Sequence, residues 1–293
     1  MSGAPALPPL TWRDRAVAAL SDHVAQPLLR FPVPFRLFRA AFELAAPRRA
    51  PGAVEWAEMG GVRCRRMTPE GASGDILWCH GGAFVAGSPR AHARLTDPVA
   101  ARAGMRVTTP AYRLAPEHPF PAGYEDCLAA ARAMPRPFVL AGDSAGATLA
   151  AAVLARLCAE GRPPRRAVLI APAGLLDPDR PDPEGADPMF LSRPLLARIL
   201  RAYAPGADPR DPRLSPALAD YPGAPPVLIH VAEGEMLEAD AHAIADRVRA
   251  GGGTATVETA RGMPHAWHLA AGVAPAADAA LARVADFLSE RAP

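Results

Sequence analysis

Phe138-Val139-Leu140-Ala141-Gly142-Asp143-Ser144-Ala145-Gly146 decides how this chain is read. Four apolar residues run without a charge into a glycine-bracketed serine, and residues 145–159 carry the alanine and leucine of a helix. A strand that hands over to a helix within so few residues needs small neighbours, because the flanking chain packs closely on itself. The spacing predicts that Ser144 sits on a sharp strand-to-helix turn. The free N–H groups at the start of the helix would then favour negative charge beside it. Taken alone, Gly-x-Ser-x-Gly is a weak signal, since a glycine-bracketed turn with an ordinary solvent serine has the same letters. The strand before it and the helix after it raise its weight.

Outward from this stretch, short apolar runs alternate with helical patterns from about residue 53 onward. Ile76-Leu77-Trp78-Cys79, Arg106-Val107-Thr108-Thr109, Ala167-Val168-Leu169-Ile170, Val227-Leu228-Ile229-His230-Val231 and Thr254-Ala255-Thr256-Val257-Glu258 read as further strands, with a closing helix near 277–288. This alternation predicts an α/β protein with a mostly parallel twisted sheet and helices on both faces. Two segments fall outside it. The first runs to about residue 50, where Thr11 and Asp14 form a capping-box pattern for a helix from Trp12 and a second helix starts at Pro34. The second is the proline-rich stretch 173–225, in which only 195–203 reads as a helix and which is far longer than a usual crossover.

Three other places carry chemistry. His80-Gly81-Gly82-Ala83 follows a strand end, where glycine backbone can approach a substrate closely enough for its N–H groups to meet a developing oxyanion. The strand 227–231 runs into Glu233, Glu235, Glu238 and Asp240, four carboxylates competing for the place beside Ser144 at the carboxyl edge of the sheet. After the last strand comes Gly262-Met263-Pro264-His265-Ala266-Trp267-His268, in which His265 and His268 compete as the base. The order nucleophile, acid, histidine is that of the α/β-hydrolase fold.

His80-Gly81-Gly82, then Tyr112-Arg113-Leu114-Ala115-Pro116-Glu117-His118-Pro119-Phe120-Pro121-Ala122, then Gly142-Asp143-Ser144-Ala145-Gly146 resemble the bacterial hormone-sensitive-lipase-like esterases. The resemblance covers about residues 75–290. It implies Ser144 as nucleophile, Glu235 as the acid, His265 as the base, and Gly81, Gly82 and Ala145 as oxyanion donors. It makes the segment 112–122, with Glu117 and His118, a scaffold that shapes the site. Three positions depart from the pattern. Ala83 stands where the family commonly has a third glycine, Ala111 stands where it usually has Asp, and the acid is Glu rather than the commoner Asp.

Phe31, Phe35, Phe38 and Phe42 crowd the N-terminal segment, and the last three fall on one helical face. The stripe has three readings: core packing, a membrane-surface helix, or a cap over the acyl pocket like the family's N-terminal segment. The expected organisation is a helical cap segment, 1–50, and a catalytic domain, 51–293, whose insertion 173–225 adds to the cap. Phe35, Phe38 and Phe42 are then substrate-binding residues, and the bounded pocket favours short- to medium-chain acyl esters.

Composition narrows the classes. The 32 basic and 30 acidic residues leave a net charge of +2, which gives no footprint for nucleic acid. Cys64, Cys79, Cys127 and Cys158 are too scattered for a zinc site and read as buried thiols. Neither a signal peptide nor an apolar run of membrane-spanning length stands out, so a cytoplasmic protein without stable membrane insertion is expected. The expected partner is a small-molecule ester, with a homodimer left open, and no metal or cofactor is called for. Lactone or amide hydrolysis by the same residues is the nearest rival, and a non-catalytic small-molecule receptor is the rival from another class.

Overall fold

The computed structural model describes residues 9–21, 23, 33–44, 46–47, 49–180 and 193–289. Phe31 and positions 181–192 of the expected cover lie outside them. Eight strands form one sheet: β1 (Ala53–Met59), β2 (Val62–Thr68), β3 (Asp75–Cys79), β4 (Arg106–Pro110), β5 (Val139–Asp143), β6 (Ala167–Ile170), β7 (Val227–Ala232) and β8 (Ala255–Ala260). Their order is β1-β2-β4-β3-β5-β6-β7-β8. β2 is antiparallel to both β1 and β4, and the remaining pairs are parallel. This is the α/β-hydrolase fold.

The central strands β3, β5, β6 and β7 are buried along their whole length, as parallel strands covered on both faces must be. Alternate residues serve opposite faces. Ile76 and Trp78 pack with Leu95 and Val99 of α3 (Ala93–Ala103) and Leu281 and Val284 of α8 (Pro275–Leu288). Leu77 and Cys79 pack with Leu128 of α4 (Ala122–Ala133), Leu149 of α5 (Ala145–Ala159) and Ile244 of α7 (Glu238–Ala250). The alanine-rich α5 buries thirteen of its 15 residues, so its small side chains let the helix lie close on the sheet. All four cysteines are buried and free, and burial pushes the Cys64 thiol up to about 12 and the Cys158 thiol up to about 11.

The β1–β2 hairpin was not foreseen. Its turn is Gly60-Gly61, both at positive φ (60° and 81°), which suits the two-residue turn between the paired Met59 and Val62. Arginines hid β2 from a hydropathy reading. Arg65 is buried, but its guanidinium makes two 2.7 Å bonds to Asp97 of α3, which offsets the cost of taking its charge out of water.

Outside this frame, α1 (Trp12–Leu20) begins with the expected capping box of Thr11 and Asp14. Asp14 also accepts the Ala276 N–H of α8 at 2.9 Å, so α1 docks on α8. α2 (Phe35–Leu44) and α6 (Arg193–Tyr203) lie instead over the carboxyl edge of the sheet.

Candidate active site

The strand order reverses at β3, and its two neighbours β4 and β5 leave a crevice beyond their carboxyl ends, where sites form in such sheets. Ser144 stands there, between β5 and α5, with φ 51° and ψ −124°, a conformation that costs a non-glycine residue free energy. Its N–H donates to Ile170 O of β6 at 2.7 Å, which holds the turn against the next strand. The bracketing glycines are required by contact. A Cβ on Gly142 would lie 2.4 Å from Gly146 O, and one on Gly146 would lie 2.1 Å from Cys79 O.

Side chains from the ends of two other strands reach Ser144 in a row. His265 Nε2, on the loop after β8, is 2.9 Å from Ser144 Oγ. His265 Nδ1 is 2.6 Å from Glu235 Oε2, on the turn after β7. Glu235 Oε1 accepts the Ala232 N–H at 2.9 Å, which fixes the carboxylate plane. His265 and Glu235 are both buried, so the row is screened from water.

The competing residues are employed elsewhere. Asp240 accepts the N–H groups of Gly174 and Leu175 and pairs with Arg180, although burial still pushes its carboxyl up. Glu238 accepts the Gly234 N–H, and Glu233 pairs with Arg261. His268 Nε2 lies 2.9 Å from His230 Nδ1, and His230 Nε2 lies 3.1 Å from Glu258. Burial, with His230 beside it, pushes His268 well below the ordinary histidine range, so it stays neutral.

One sequence expectation needs correction. Gly81 was expected to donate to an oxyanion, but its N–H donates to Asp143 Oδ2 at 3.1 Å, and a Cβ on it would lie 2.4 Å from that oxygen. Gly82 and Ala83 line the cavity over Ser144 instead. Ala83 adopts φ 54° where a glycine would be unstrained.

That cavity encloses about 150 Å³ and is mostly apolar. Phe35, Phe38 and Phe42 of α2 and Leu195 and Ile199 of α6 form its roof, and Ser144 and His265 stand in its floor. Arg198 of α6 joins the two covering segments: it donates to Val33 O and lies 4.5 Å from the centre of the Phe35 ring. Arg39 fastens α2 to the floor, donating to Val85 O at 2.7 Å, Ala115 O at 2.8 Å and Glu117 Oε2 at 2.6 Å. Glu117 is thus the anchor of a strap and stands apart from the Ser144 row. Tyr112 donates to His80 O at 2.7 Å beneath the same turn.

Sequence reading passed over His92, which lines the cavity, and over Arg39 and Arg198. What places each of them near the site comes from a distant segment: Asp143 for His92, Val85, Ala115 and Glu117 for Arg39, and Val33 for Arg198. Among the described residues, no group of three or more His, Cys, Asp or Glu is placed to hold a metal, and no helix is long and apolar enough to cross a membrane.

A fold, a turn and a row of this kind define a class, and comparison with known proteins agrees. A family model for the alpha/beta hydrolase fold matches residues 76–269. The chain is 39% identical over 202 residues to an acetyl-hydrolase of Streptomyces hygroscopicus, spanning 66% of this chain and 68% of that protein. It is 34% identical over 235 residues to the carboxylesterase/phospholipase LipF of Mycobacterium tuberculosis, spanning 75% of this chain and 63% of that protein. The crystal structure of an esterase from the bacterial hormone-sensitive lipase family matches with TM-score 0.85 at 31% identity, over 99% of both chains. The chain belongs to the α/β-hydrolase family, and its structural neighbours are bacterial esterases of the hormone-sensitive lipase type.

Proposed function

We propose that this ester hydrolase cleaves short- to medium-chain carboxylic esters through a covalent acyl-enzyme on Ser144. The observation that carries the reading is the hydrogen-bonded row of Ser144, His265 and Glu235 in the floor of an enclosed apolar cavity. His265 Nε2 takes the hydroxyl proton as Ser144 Oγ attacks the ester carbonyl, and the charge gained by the imidazole is stabilised by Glu235. The carbonyl oxygen becomes an anion facing the N–H groups of Gly82, Ala83 and Ala145, since that of Gly81 is already engaged by Asp143. His265 returns the proton to the leaving alcohol. Water then enters, gives its proton to His265 as it attacks the acyl carbon, and His265 returns that proton to Ser144 Oγ as the acid leaves. No step requires a metal or an organic cofactor.

α2 and α6 act as the cap in this reading, the working parts of the segments 1–50 and 173–225. An apolar roof contributes about 0.8 kcal/mol for each methylene it covers, so chain length is selected there. The enclosed floor suits a single acyl chain and not a triacylglycerol. A fluorophosphonate probe together with p-nitrophenyl esters of increasing acyl length tests the proposal. Labelling of the wild type but not of Ser144→Ala, with a maximum at short to medium acyl length, is expected. Labelling of the Ser144→Ala variant, or no turnover of any ester, refutes it.

A further inference from the structure

Asp143, the residue before Ser144, takes no part in the row, yet it is 1% exposed and its carboxylate reaches three groups at once. Oδ1 accepts from Trp78 Nε1 at 2.9 Å, Oδ2 accepts the Gly81 N–H at 3.1 Å, and His92 Nε2 lies 3.3 Å from Oδ2. That last contact is poorly aligned for a hydrogen bond, and attraction between opposite charges dominates it. His92 Nδ1 lies 3.2 Å from Ser88 O, and its ring stacks between His80 and Phe42 of α2, with centroids 5.1 and 5.7 Å away. Four of these residues, His80, Gly81, Ser88 and His92, belong to the one loop that joins β3 to α3.

That loop needs to be held. Ala83 and Phe84 sit at φ 54° and 61°, and Ser144 across the crevice sits at 51°. Non-glycine residues keep such conformations only where their surroundings over-determine them.

We propose that Asp143 and His92 are a positioning pair that holds the turn bearing Gly82 and Ala83 in register with Ser144. The proposal rests on the reading of those two N–H groups as oxyanion donors. Asp143 fixes the backbone at Gly81, one residue before the first donor, and His92 supplies the positive charge that a buried carboxylate requires. Burial would lower the His92 pKa, but Asp143 outweighs it and Glu43 of α2 adds to the effect, so His92 stands above the ordinary histidine value. His80, the other titratable ring against it, is pushed down to about 3 by burial and by His92, and stays neutral, as does Tyr112 behind it. A raised pKa means that the attraction is present below the ordinary histidine value and is lost as pH rises through the folded one.

The experiment compares p-nitrophenyl butyrate with its thiono analogue, because donors set for an oxygen anion serve the larger sulfur poorly. His265 serves both substrates, so its titration cancels in the ratio of their kcat/KM values. His92→Phe keeps the ring stack but has no donor, and His92→Gln keeps a donor but no titrating charge. We expect His92→Phe to lower kcat for the oxo ester about 10²-fold at near-constant KM, and to collapse the ratio. His92→Gln, which has no charge, should also lower kcat and the ratio, and neither variant should show the alkaline decline of the ratio expected of the wild type. A high ratio that withstands either His92→Phe or His92→Gln overturns the pair. The wild type alone also decides: a high ratio that stays flat as pH rises overturns the pair even where neither variant folds. A wild-type ratio near one at every pH sinks the donor reading itself, and the pair with it.

Discussion

The floor and the roof of the cavity are made of different material. The floor consists of four turns, at the carboxyl ends of β3, β5, β7 and β8, and its tolerances are those of backbone against backbone. One added methyl at Gly142, Gly146 or Gly82 would lie 2.4 Å or less from a carbonyl oxygen. The roof consists of two amphipathic helices, and α2 contains no fully buried residue. It is held by an Arg39 strap, an Arg198 bridge and aromatic contact, including Tyr203 of α6 stacked on Phe84 at 3.8 Å. A rigid floor can fix reacting atoms to within fractions of an ångström. A roof of side chains can change its volume without disturbing them. Chemistry should therefore fail abruptly when the floor is altered and drift gradually when the roof is.

The largest break is at Ser144. Ser144→Ala should abolish fluorophosphonate labelling and lower kcat by ~10⁶-fold, with the unfolding midpoint nearly unchanged because the strained backbone remains. Ser144→Gly removes the strain as well, and thermal unfolding should show it more stable than Ser144→Ala by about 1 kcal/mol. Substantial activity in either folded variant would remove Ser144 from its role.

Next comes the carboxylate. Glu235→Gln replaces the carboxylate by an uncharged amide that can donate to Nδ1 and hold His265 in the wrong tautomer, and should cost ~10⁴-fold in kcat with the fold intact. Asp240→Asn marks the contrast. It weakens a contact to Arg180 and to two backbone N–H groups, so circular dichroism should show a loss of about 1–3 kcal/mol of stability while activity per folded molecule stays within a few-fold. An exchange of these two outcomes would move the acid to Asp240.

The same contrast explains what was legible in the sequence. Floor residues announce themselves because a positive φ or a backbone contact demands glycine, and because buried parallel strands read as unbroken apolar runs. Residues 76–79, 138–141, 167–170 and 227–231 were marked out in this way, and Ser144, Glu235 and His265 lie together in space beyond those strand ends and that of β8. Gly81 shows the limit: its sequence context says that the backbone comes close to something, but the something is Asp143, not a substrate. β2 was missed because Arg65 and Arg66 break its apolar pattern, and the Arg65 partner lies 32 residues away on α3. The roof was visible only as a helical stripe of phenylalanines, since what a stripe covers depends on a surface formed elsewhere in the chain. α1, the other helix of the expected 1–50 segment, docks on α8 through Asp14, a contact 262 residues apart that no local pattern encodes.

Roof changes should give smaller, graded effects. Phe38 lines the cavity and meets Phe42 edge-on at 5.1 Å. Phe38→Ala removes apolar contact from longer acyl chains, worth about 1–3 kcal/mol of discrimination. The ratio of kcat/KM between octanoate and butyrate esters should fall about 10- to 100-fold, with little change in unfolding temperature. A lower midpoint with an unaltered chain-length profile would make the stripe a packing element and remove the cap from the proposal.

The smallest expected effect lies at the strap. The Arg39 guanidinium beside Glu117 holds that carboxyl down to about 2, against an ordinary value of 4.5. A depressed folded value means that the pair stabilises α2 above the ordinary carboxylate range and is lost as pH falls toward 2. Glu117 is largely exposed, however, and exposed pairs are screened, so the contact contributes little on its own. Two further bonds from Arg39, to Val85 O and Ala115 O, survive when Glu117 is neutral. Glu117→Gln should therefore speed amide exchange in α2 only a few-fold at pH 6 and leave α5 unchanged. The difference from wild type should vanish as the wild-type carboxyl is itself protonated. Esterase activity on butyrate should be unaffected, because the floor is untouched. Exchange accelerated equally in α2 and α5 would show that Glu117 serves the whole domain and that floor and roof are not separable at this point.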